Sequence, residues 1–516
     1  MQKITLVKQN RYADSVSLMR LSNDAKALDG VEDVLVGMGT DLNKELLENM
    51  GLLSGEARAA GPNDLLIGLL AESPEAADAA LAEIDNLLNK KNAPRSAGVA
   101  HAAETIAEAC ELDPDINVAV VSVPGAYAAR ECRAALNRDM HVFLFSDNVG
   151  VEDEIALKDL ANERGLLMMG PDCGTAILNG VPLGFANVVR RGNIGIAAAS
   201  GTGLQLVTTL IDTLGAGVSQ AIGLGGRDLS AKVGGRTMFA ALEALSADPE
   251  TAVVVLLSKP PAPEVAEKLL ERARQLKKPV VLCLFGRKLE GDLGDIQLCG
   301  NIEETAARAA SLSLGRSVGL DDKFYDETPL MKFEAARRPE QTCVRGIFGG
   351  GTLCDEAMVT FRALGIPIRS NIPLSPEEAL PDLHQSVGNT FLDMGDDYFT
   401  RGKPHPMIDP SLRNARIVQD ALMPDTAVML LDVELGYGSH PDPAGVAVQA
   451  VDEAKRLLGN RQVLWIASVV GTAGDPQGYG AQIQKLLDAG FIVSLSNVRA
   501  VKLAARAVGG ERGKGK

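Results

Sequence analysis

Apolar positions along the chain fall into two alternating rhythms. Short runs such as "ITLVK", "DLLIGLLA", "NVAVVSVPG", "HVFLFSDNVG", "NIGIAAASGTG", "AVVVLLSKPPAP", "PVVLCLFG" and "AVMLLDVELG" read as buried strands, each closed by glycine, proline or a polar turn. Between most of them, stretches such as "DSVSLMRLSNDAKAL" and "SPEAADAALAEIDNLLNK" carry apolar residues at three- and four-residue steps, the pattern of amphipathic helices. Strand and helix in repeated alternation predict an α/β chain of several doubly wound parallel-sheet domains, with ligand loops gathered at one edge of each sheet.

Breaks in the pattern divide the chain into four units: 1–95, a small N-terminal α/β unit, then 112–190, 191–318 and 340–510. The polar stretch "KKNAPRSAGVA" reads as the first linker, and "GLDDKFYDETPLMKFEAARRPEQ" as the last. The third and fourth units resemble each other. Each opens with strand, glycine turn and helix, "NIGIAAASGTGLQ" in one and "VRGIFGGGTLCDEAM" in the other, as expected of a duplication.

These two turns are the first candidate chemistry. In Ser200, Gly201, Thr202 and Gly203, and again in Gly349, Gly350, Gly351 and Thr352, glycines let the chain turn tightly while the first amides of a helix point outward, a seat for phosphate or carboxylate. The alternative is plain capping, by Ser200 or Thr202 in the first turn and by a Thr352/Asp355 capping box in the second. Leu204, Val207, Ile211 and Leu214, and likewise Leu353, Ala357, Phe361 and Leu364, form the faces that would bury the helices behind the turns.

Composition narrows the partners. A chain of 516 residues has a formal charge of −16 without long charged runs, so no basic footprint for nucleic acid or an anionic membrane is present. Neither a signal-peptide core nor a membrane-spanning run is seen, and a cytoplasmic protein with a small-molecule role is expected. Seven cysteines without disulfide or zinc spacing read as reduced, mostly buried thiols.

Further candidates lie in loops. His405, stiffened between Pro404 and Pro406 and close to Arg401, Lys403 and Arg413, reads either as a pre-positioned imidazole that polarises a carbonyl or moves a proton, or as an ordinary loop histidine. Asp393, Asp396 and Asp397 suit a hard cation or merely a turn, and no metal site is assigned. His440 and Lys259 follow equivalent strands in the two halves and either face the crevice or lie in solvent. Arg227 and Asp228 read as a bracket for the first turn or as an internal ion pair. Cys173 has no histidine near it in sequence, which argues against a nucleophile.

The runs "VVSVPGAYAARECRAAL", "FSDNVGVEDEIALKDLANERGLLMMGPDCGT", "RRGNIGIAAASGTGLQLV" and "AIGLGGRDLS", in this order, resemble the α subunit of succinyl-CoA synthetase. The whole chain, with "GKPHPMIDP" as a further marker, resembles the FdrA-type branch of the NDP-forming acyl-CoA synthetase superfamily, and "IFGGGTLCDE" resembles the carboxy-terminal domain of the synthetase β subunit. The resemblance implies a Rossmann-like CoA-binding-type domain (112–190) followed by two flavodoxin-like domains, synthetase α-like (191–318) and β-like (340–510). It implies that loops containing Val123, Pro124, Ser146, Asp147, Asn148, Gly170, Pro171, Asp172 and Cys173 line a CoA or nucleotide-like ligand, and that the two turns are paired phosphate seats.

The family's phosphohistidine should follow "KPVVLCLFG", but the sequence there reads "RKLEGDLGDIQLCG". The histidines are His101, His141, His384, His405 and His440. No stretch resembles an ATP-grasp domain, and "VGMGTDLNKEL" is a weak substitute for the family's glycine-rich CoA loop. What the resemblance implies is a subunit that handles an acyl or carbamoyl phosphate and a small carboxylate, like an oxamate carbamoyltransferase of purine and allantoin breakdown. The alternatives are a succinate-CoA-ligase-like subunit served by a separate ATP-grasp partner and a non-catalytic sensor of CoA or phosphate compounds. Companion subunits and a homo-oligomer are implied, with CoA as the possible cofactor.

Overall fold

The computed structural model describes residues 2–11, 18, 21–22, 25–26, 28, 30–61, 63–90, 103–286, 293–321, 328–401 and 403–509. The linker "KKNAPRSAGVA" beyond Lys90, most of the helix expected at "DSVSLMRLSNDAKAL", and residues 287–292 of "RKLEGDLGDIQLCG" lie outside the described residues. The chain divides into two compact units, Met1–Ala102 and Ala103–Lys516. Among the described residues no helix is long and apolar enough to cross a membrane.

The first unit is an antiparallel sheet of β1 (Gln2–Lys8), β2 (Val31–Met38) and β3 (Leu65–Ala71) in the order β1-β3-β2. The continuous apolar run of β3 reflects burial on both faces. Leu65, Ile67 and Leu69 pack with Ala80 and Ile84 of the helix Pro74–Lys90, while Leu66 packs with Leu47 and Leu52 on the opposite side.

The second unit holds three sheets. β4 (Val118–Val121), β5 (His141–Leu144) and β6 (Met168–Met169) form a short parallel sheet. β7 (Thr175–Leu178), β8 (Val181–Gly184), β9 (Arg191–Ala199), β10 (Val218–Gly223), β11 (Val253–Ser258), β12 (Val280–Leu284) and β13 (Gln297–Leu298) form the next, ordered β13-β12-β11-β9-β10-β7-β8. β14 (Cys343–Phe348), β15 (Arg369–Ser370), β16 (Thr390–Asp393), β17 (Thr426–Glu434), β18 (Leu464–Val470) and β19 (Ile492–Ser494) form the last, ordered β15-β16-β14-β17-β18-β19 and parallel throughout. The hairpin β7-β8, which the sequence places with the second stretch, instead adds an antiparallel edge to the second sheet, with Ala221 of β10 opposite Ile177. Thr175, Ala176 and Ile177 are buried by that pairing.

β9 and β14 occupy equivalent places. The chain leaves β9 for β10 on one side and returns as β11 on the other, and it leaves β14 for β15 and β16 before returning as β17. Each strand order therefore reverses beside the carboxyl end of the strand carrying a glycine turn, where a ligand crevice opens in doubly wound sheets. The helices that follow, Gly201–Thr213 and Gly351–Ala363, share one core: Leu204, Val207 and Ile211 belong to the same apolar cluster as Leu353, Ala357 and Phe361.

The helix Val151–Glu163 is pinned by charge. The Lys158 ammonium, buried, lies 2.8 Å from Glu154 and 2.7 Å from Asp228, and also donates to the Leu224 carbonyl. Asp228 further accepts from the amides of Thr237 and Met238 at the start of the helix Arg236–Ala247, and Arg227 pairs with Glu154 at 3.0 Å. Arg227 and Asp228 are thus an internal network, with Asp228 at a helix dipole. Lys158→Met strands two buried carboxylates and is expected to lower stability by about 3 kcal/mol. Urea unfolding followed by circular dichroism, with amide hydrogen exchange over residues 151–163, measures it; an unchanged midpoint would show that Arg227 and the helix amides suffice.

Candidate functional site

The two glycine turns meet. The Ser200 hydroxyl donates to Thr352 Oγ1 at 2.7 Å and accepts from the Gly203 amide at 3.0 Å, so one side chain caps its own helix and binds the other. Close approach requires glycine at two positions. A Cβ on Gly350 would lie 2.7 Å from Thr202 Oγ1, and one on Gly203 would lie 2.9 Å from the Thr352 methyl. In the first turn the amides of Gly201 and Thr202 have no partner among the described residues.

The second turn is partly filled by the protein itself. The amides of Gly349 and Gly350 donate to the two carboxylate oxygens of Asp432 at 2.8 and 2.9 Å. Buried Arg413 holds Asp432 from behind, donating to its Oδ1 at 2.6 Å and to the Ile347 carbonyl at 2.9 Å. Gly349 and Gly350 are therefore not open to a ligand as the sequence reading expects. The open amides of this helix are those of Gly351 and Thr352. The Thr352/Asp355 capping box also fails to form: Gly350 is the N-cap without a side-chain bond, Thr352 turns to Ser200, and Asp355 turns to Lys259.

A ring of charge surrounds Gly351. A side chain there would meet the Asp393 carboxylate and, at 3.0 Å, the Lys259 ammonium. Lys259 is about a third exposed and lies 3.6 Å from Asp355. Burial opposes its charge, yet Asp355, Asp393 and Asp172 outweigh burial and hold the ammonium above the usual lysine range. Burial pushes the Asp393 carboxyl up to about 7, against the pull of Lys259 and of the Gly395 amide. Burial likewise raises Asp355. Glu434, buried beside Asp432, is raised well above the usual carboxylate range by burial and by its neighbour's charge.

His405 belongs to this crevice. Its Nδ1 accepts from the Met407 amide at 3.2 Å, which assigns the proton of the neutral ring to Nε2, facing Gly395. The ring packs on Phe185 with centroids 5.3 Å apart, and Phe185 packs on Phe145 at the same spacing. Burial lowers its pKa to about 4, so the imidazole is neutral at pH 7. Phe185 is held there by a bridge between Ala186 and Tyr437 and by Asp475, which accepts from the Asn187 side chain and the Val188 amide.

The loops expected to line a CoA-like ligand border the same crevice. Gly174 approaches Gly201, the Asp172 amide donates to the Ser146 carbonyl, and the Ser146 hydroxyl donates to the Val123 carbonyl beside Pro124. Gly125 lies tightly against the backbone of Asp147 and Asn148. Asn148 and Asp172 adopt positive φ (53° and 54°), and Gly170-Pro171 is a cis bond. Asp172 is accessible but walled in by loops. That desolvation, with Asp397 and Asp147, raises its carboxyl to about 6 against Lys259 and Arg227. Cys173 is buried, and the loss of solvent raises its thiol to about 12, so it contributes packing rather than a thiolate.

Other candidates have local roles. His440 Nδ1 accepts from the Asp442 amide, and Asp396 caps the short helix Asp397–Thr400. Arg401 and Lys403 are exposed. No group of three or more metal-ligating side chains occurs among the described residues. Asp432 and Glu434 escape a reading of sequence motifs. Their signal is two acids, two residues apart and hence on one face, in the otherwise apolar run "VMLLDVELG".

Asp393 supplies a pH test. Its folded pKa of about 7 exceeds the unfolded value of about 4. The native state then binds the extra proton, and the contribution to stability present at low pH is lost as pH rises through this window. Asp393→Asn, which keeps an acceptor for the Gly395 amide, is expected to be more stable than the natural protein at pH 8 and to match it near pH 4. Urea midpoints across that range check this, and a gap independent of pH counts against it.

With the geometry in hand, comparison with known proteins places the chain. It matches the family models described as "AllF, heavy metal-associated domain" over residues 1–105, "CoA binding domain" over residues 189–285 and "CoA-ligase" over residues 347–507. Residues 1–105 contain no cysteine and a single histidine, His101, which lies outside the described residues. Among the described residues of this segment no group of three or more His, Cys, Asp or Glu side chains could hold a metal ion. The chain is 47% identical over 502 residues, 97% of each protein, to YahF of Escherichia coli (strain K12). It is 29% identical over 173 residues to the succinate–CoA ligase [ADP-forming] subunit alpha 2 of Archaeoglobus fulgidus, covering 33% of this chain and 58% of that one. Among solved structures, the dinucleotide-forming acetyl-coenzyme A synthetase 1 of Ca. Korarchaeum cryptofilum aligns over 79% of this chain and 86% of its own, with a TM-score of 0.33 and 16% identity. The chain belongs to one family with YahF, within the succinyl-CoA synthetase and NDP-forming acyl-CoA synthetase superfamily.

Proposed function

We propose that this protein is an FdrA-type subunit of an oxamate-carbamoyltransferase-like complex, which holds an acyl or carbamoyl phosphate between the paired helix N-termini and presents it to a small carboxylate acceptor. The observation that carries this reading is the Ser200–Thr352 contact, which sets two open amides of one helix, Gly201 and Thr202, against two of the other, Gly351 and Thr352, with the Lys259 ammonium beside them. When the acceptor attacks the carbonyl carbon, the C–O bond to phosphate breaks and the electron pair leaves with the phosphate. Fixed amides and a cation stabilise that charge by a few kcal/mol, about 3 for a single donor. His405, neutral and carrying its proton on Nε2, is positioned as a donor to the carbonyl oxygen.

The sequence "RKLEGDLGDIQLCG" supplies no histidine after β12, which favours a phosphate compound made elsewhere over a phosphohistidine relay. Companion subunits and self-association complete the proposed complex, in purine and allantoin catabolism. A second reading, a CoA ligase subunit served by a separate nucleotide-binding partner, draws on the matches to the CoA-binding and CoA-ligase models. In it, CoA lies on the loops containing Val123, Pro124, Ser146 to Asn148 and Gly170 to Cys173.

Calorimetry of the full chain with carbamoyl phosphate, with CoA as parallel titrant, separates the two. Gly201 has room for a Cβ, its nearest neighbour being Gly174 Cα at 3.7 Å, so Gly201→Val is expected to fold while crowding the open amides, with circular dichroism as the check on folding. Carbamoyl phosphate is expected to bind the natural protein and to bind this variant at least tenfold more weakly. Binding of CoA alone would overturn the carbamoyl reading in favour of the ligase.

A further inference from the structure

The transfer set out above leaves one proton without a destination. A nucleophile that bonds to the carbonyl carbon must shed its proton as the C–O bond to phosphate breaks. His405 has no lone pair to take it, since Nδ1 already accepts from the Met407 amide and Nε2 carries the hydrogen. The acids around the second turn are engaged as well: Asp355 with Lys259, Asp393 with the Gly395 amide, and Asp432 with Gly349 and Gly350.

Asp172 differs from them. Its side chain is exposed, and neither carboxylate oxygen has a hydrogen-bond or ion-pair partner among the described residues. Cys173 beside it turns the other way, into the core against Gly223. Asp172 takes a φ of 54°, a conformation that favours glycine, so the turn by itself gives no reason for a carboxylate. The loop is wedged between the first helix end and the end of β10: Gly174 lies against Gly201, and Pro171 against Gly225. A Cβ on Gly226 would stand 3.7 Å from Asp172 Oδ2. From a third side the Ser146 carbonyl accepts from the Asp172 amide at 2.9 Å.

Four charged groups face this carboxylate, Lys259 and Arg227 favouring its ionised form and Asp397 and Asp147 opposing it. The Lys259 ammonium is shared, since it would also meet a side chain at Gly351, and this ties Asp172 to the paired helix ends. Held up at about 6 mainly by desolvation, the carboxyl is ionised at pH 7 yet more basic than an ordinary aspartate.

We propose that Asp172 is the general base of the transfer. Its carboxylate takes the proton from the acceptor's nucleophilic nitrogen as that nitrogen bonds to the carbonyl carbon and the electron pair of the breaking C–O bond leaves with the phosphate. This role rests on the transfer reading above; the placement of Asp172 against the anion seat does not.

The placement is tested without turnover. Sulfate, which does not titrate near pH 6, is titrated calorimetrically into the full chain at that pH in buffers of different ionisation enthalpy. An anion at the helix ends raises the pKa of a facing carboxyl, so binding is expected to take up protons. Asp172→Asn is expected to lose at least half of that uptake, the remainder belonging to Asp393. Uptake unchanged in the variant, or no binding of sulfate, overturns the placement and the role with it.

The role is tested in transfer from carbamoyl phosphate to oxamate by the chain with its companion subunits. Asp172→Asn is expected to lower kcat about a hundredfold or more, to leave KM for carbamoyl phosphate within about threefold, and to abolish the fall in kcat/KM below about pH 6. Asp172→Gly, which suits the positive φ, is expected to regain about tenfold in rate when formate is added, a rescue that a purely structural role would not show. Full kcat in Asp172→Asn, or no rescue by formate, overturns the base while leaving the transfer reading intact. No transfer by the natural protein would remove that reading and the base together, and the sulfate titration would still report whether Asp172 faces the seat.

Discussion

One hydroxyl joins the two halves of the crevice. Ser200 caps the helix behind β9 and donates to Thr352 on the helix behind β14, and nearly every polar group of the site is placed relative to that contact. A single bond of this kind contributes only about 1 kcal/mol. It is held in register by the apolar cluster beneath it, where Leu204, Val207 and Ile211 share a core with Leu353, Ala357 and Phe361. Packing at interior density leaves the two helix ends no freedom to drift apart, so their spacing is a property of the core.

The charges follow from that spacing. Two helix N-termini brought together concentrate positive potential, and the chain answers with buried carboxylates: Asp432 on the second turn, Asp393 and Asp355 around Gly351, and Glu434 behind. Too many acids for the cations present raises their hold on protons, as in Asp393, pushed up to about 7. A structural network such as Glu154, Lys158, Asp228 and Arg227, by contrast, sets two acids against two cations and balances its charges internally.

Much of the fold was legible because β9, β11, β12, β14 and β17 are long apolar runs ending in glycine, proline or acid, and the turns after β9 and β14 advertise themselves by composition. The hairpin β7-β8 was not, since a short "TAIL" strand carries no signal for which sheet it will join. Within the site, Lys259 and His405 could be flagged as residue types in suggestive loops. The filling of Gly349 and Gly350 by Asp432 could not, because it depends on a strand more than eighty residues away whose register only the folded sheet determines. Asp355 illustrates the opposite error. Its local spacing from Thr352 suggests a cap, but the contact with Ser200 claims Thr352 first and frees the carboxylate to turn toward Lys259.

Asp432 also changes what kind of receptor the second turn is. A carboxylate tethered to the same chain competes with any soluble anion as though present at very high concentration, and it is braced by Arg413 besides. Phosphate in the surrounding solution is therefore poorly placed to occupy the amides of Gly349 and Gly350 adventitiously. What the internal acid leaves is a narrower opening one residue further along, at Gly351 and Thr352, framed by groups from both halves. The amides that stay open are thus confined to a place where side chains of both halves meet, so shape as well as charge defines the opening.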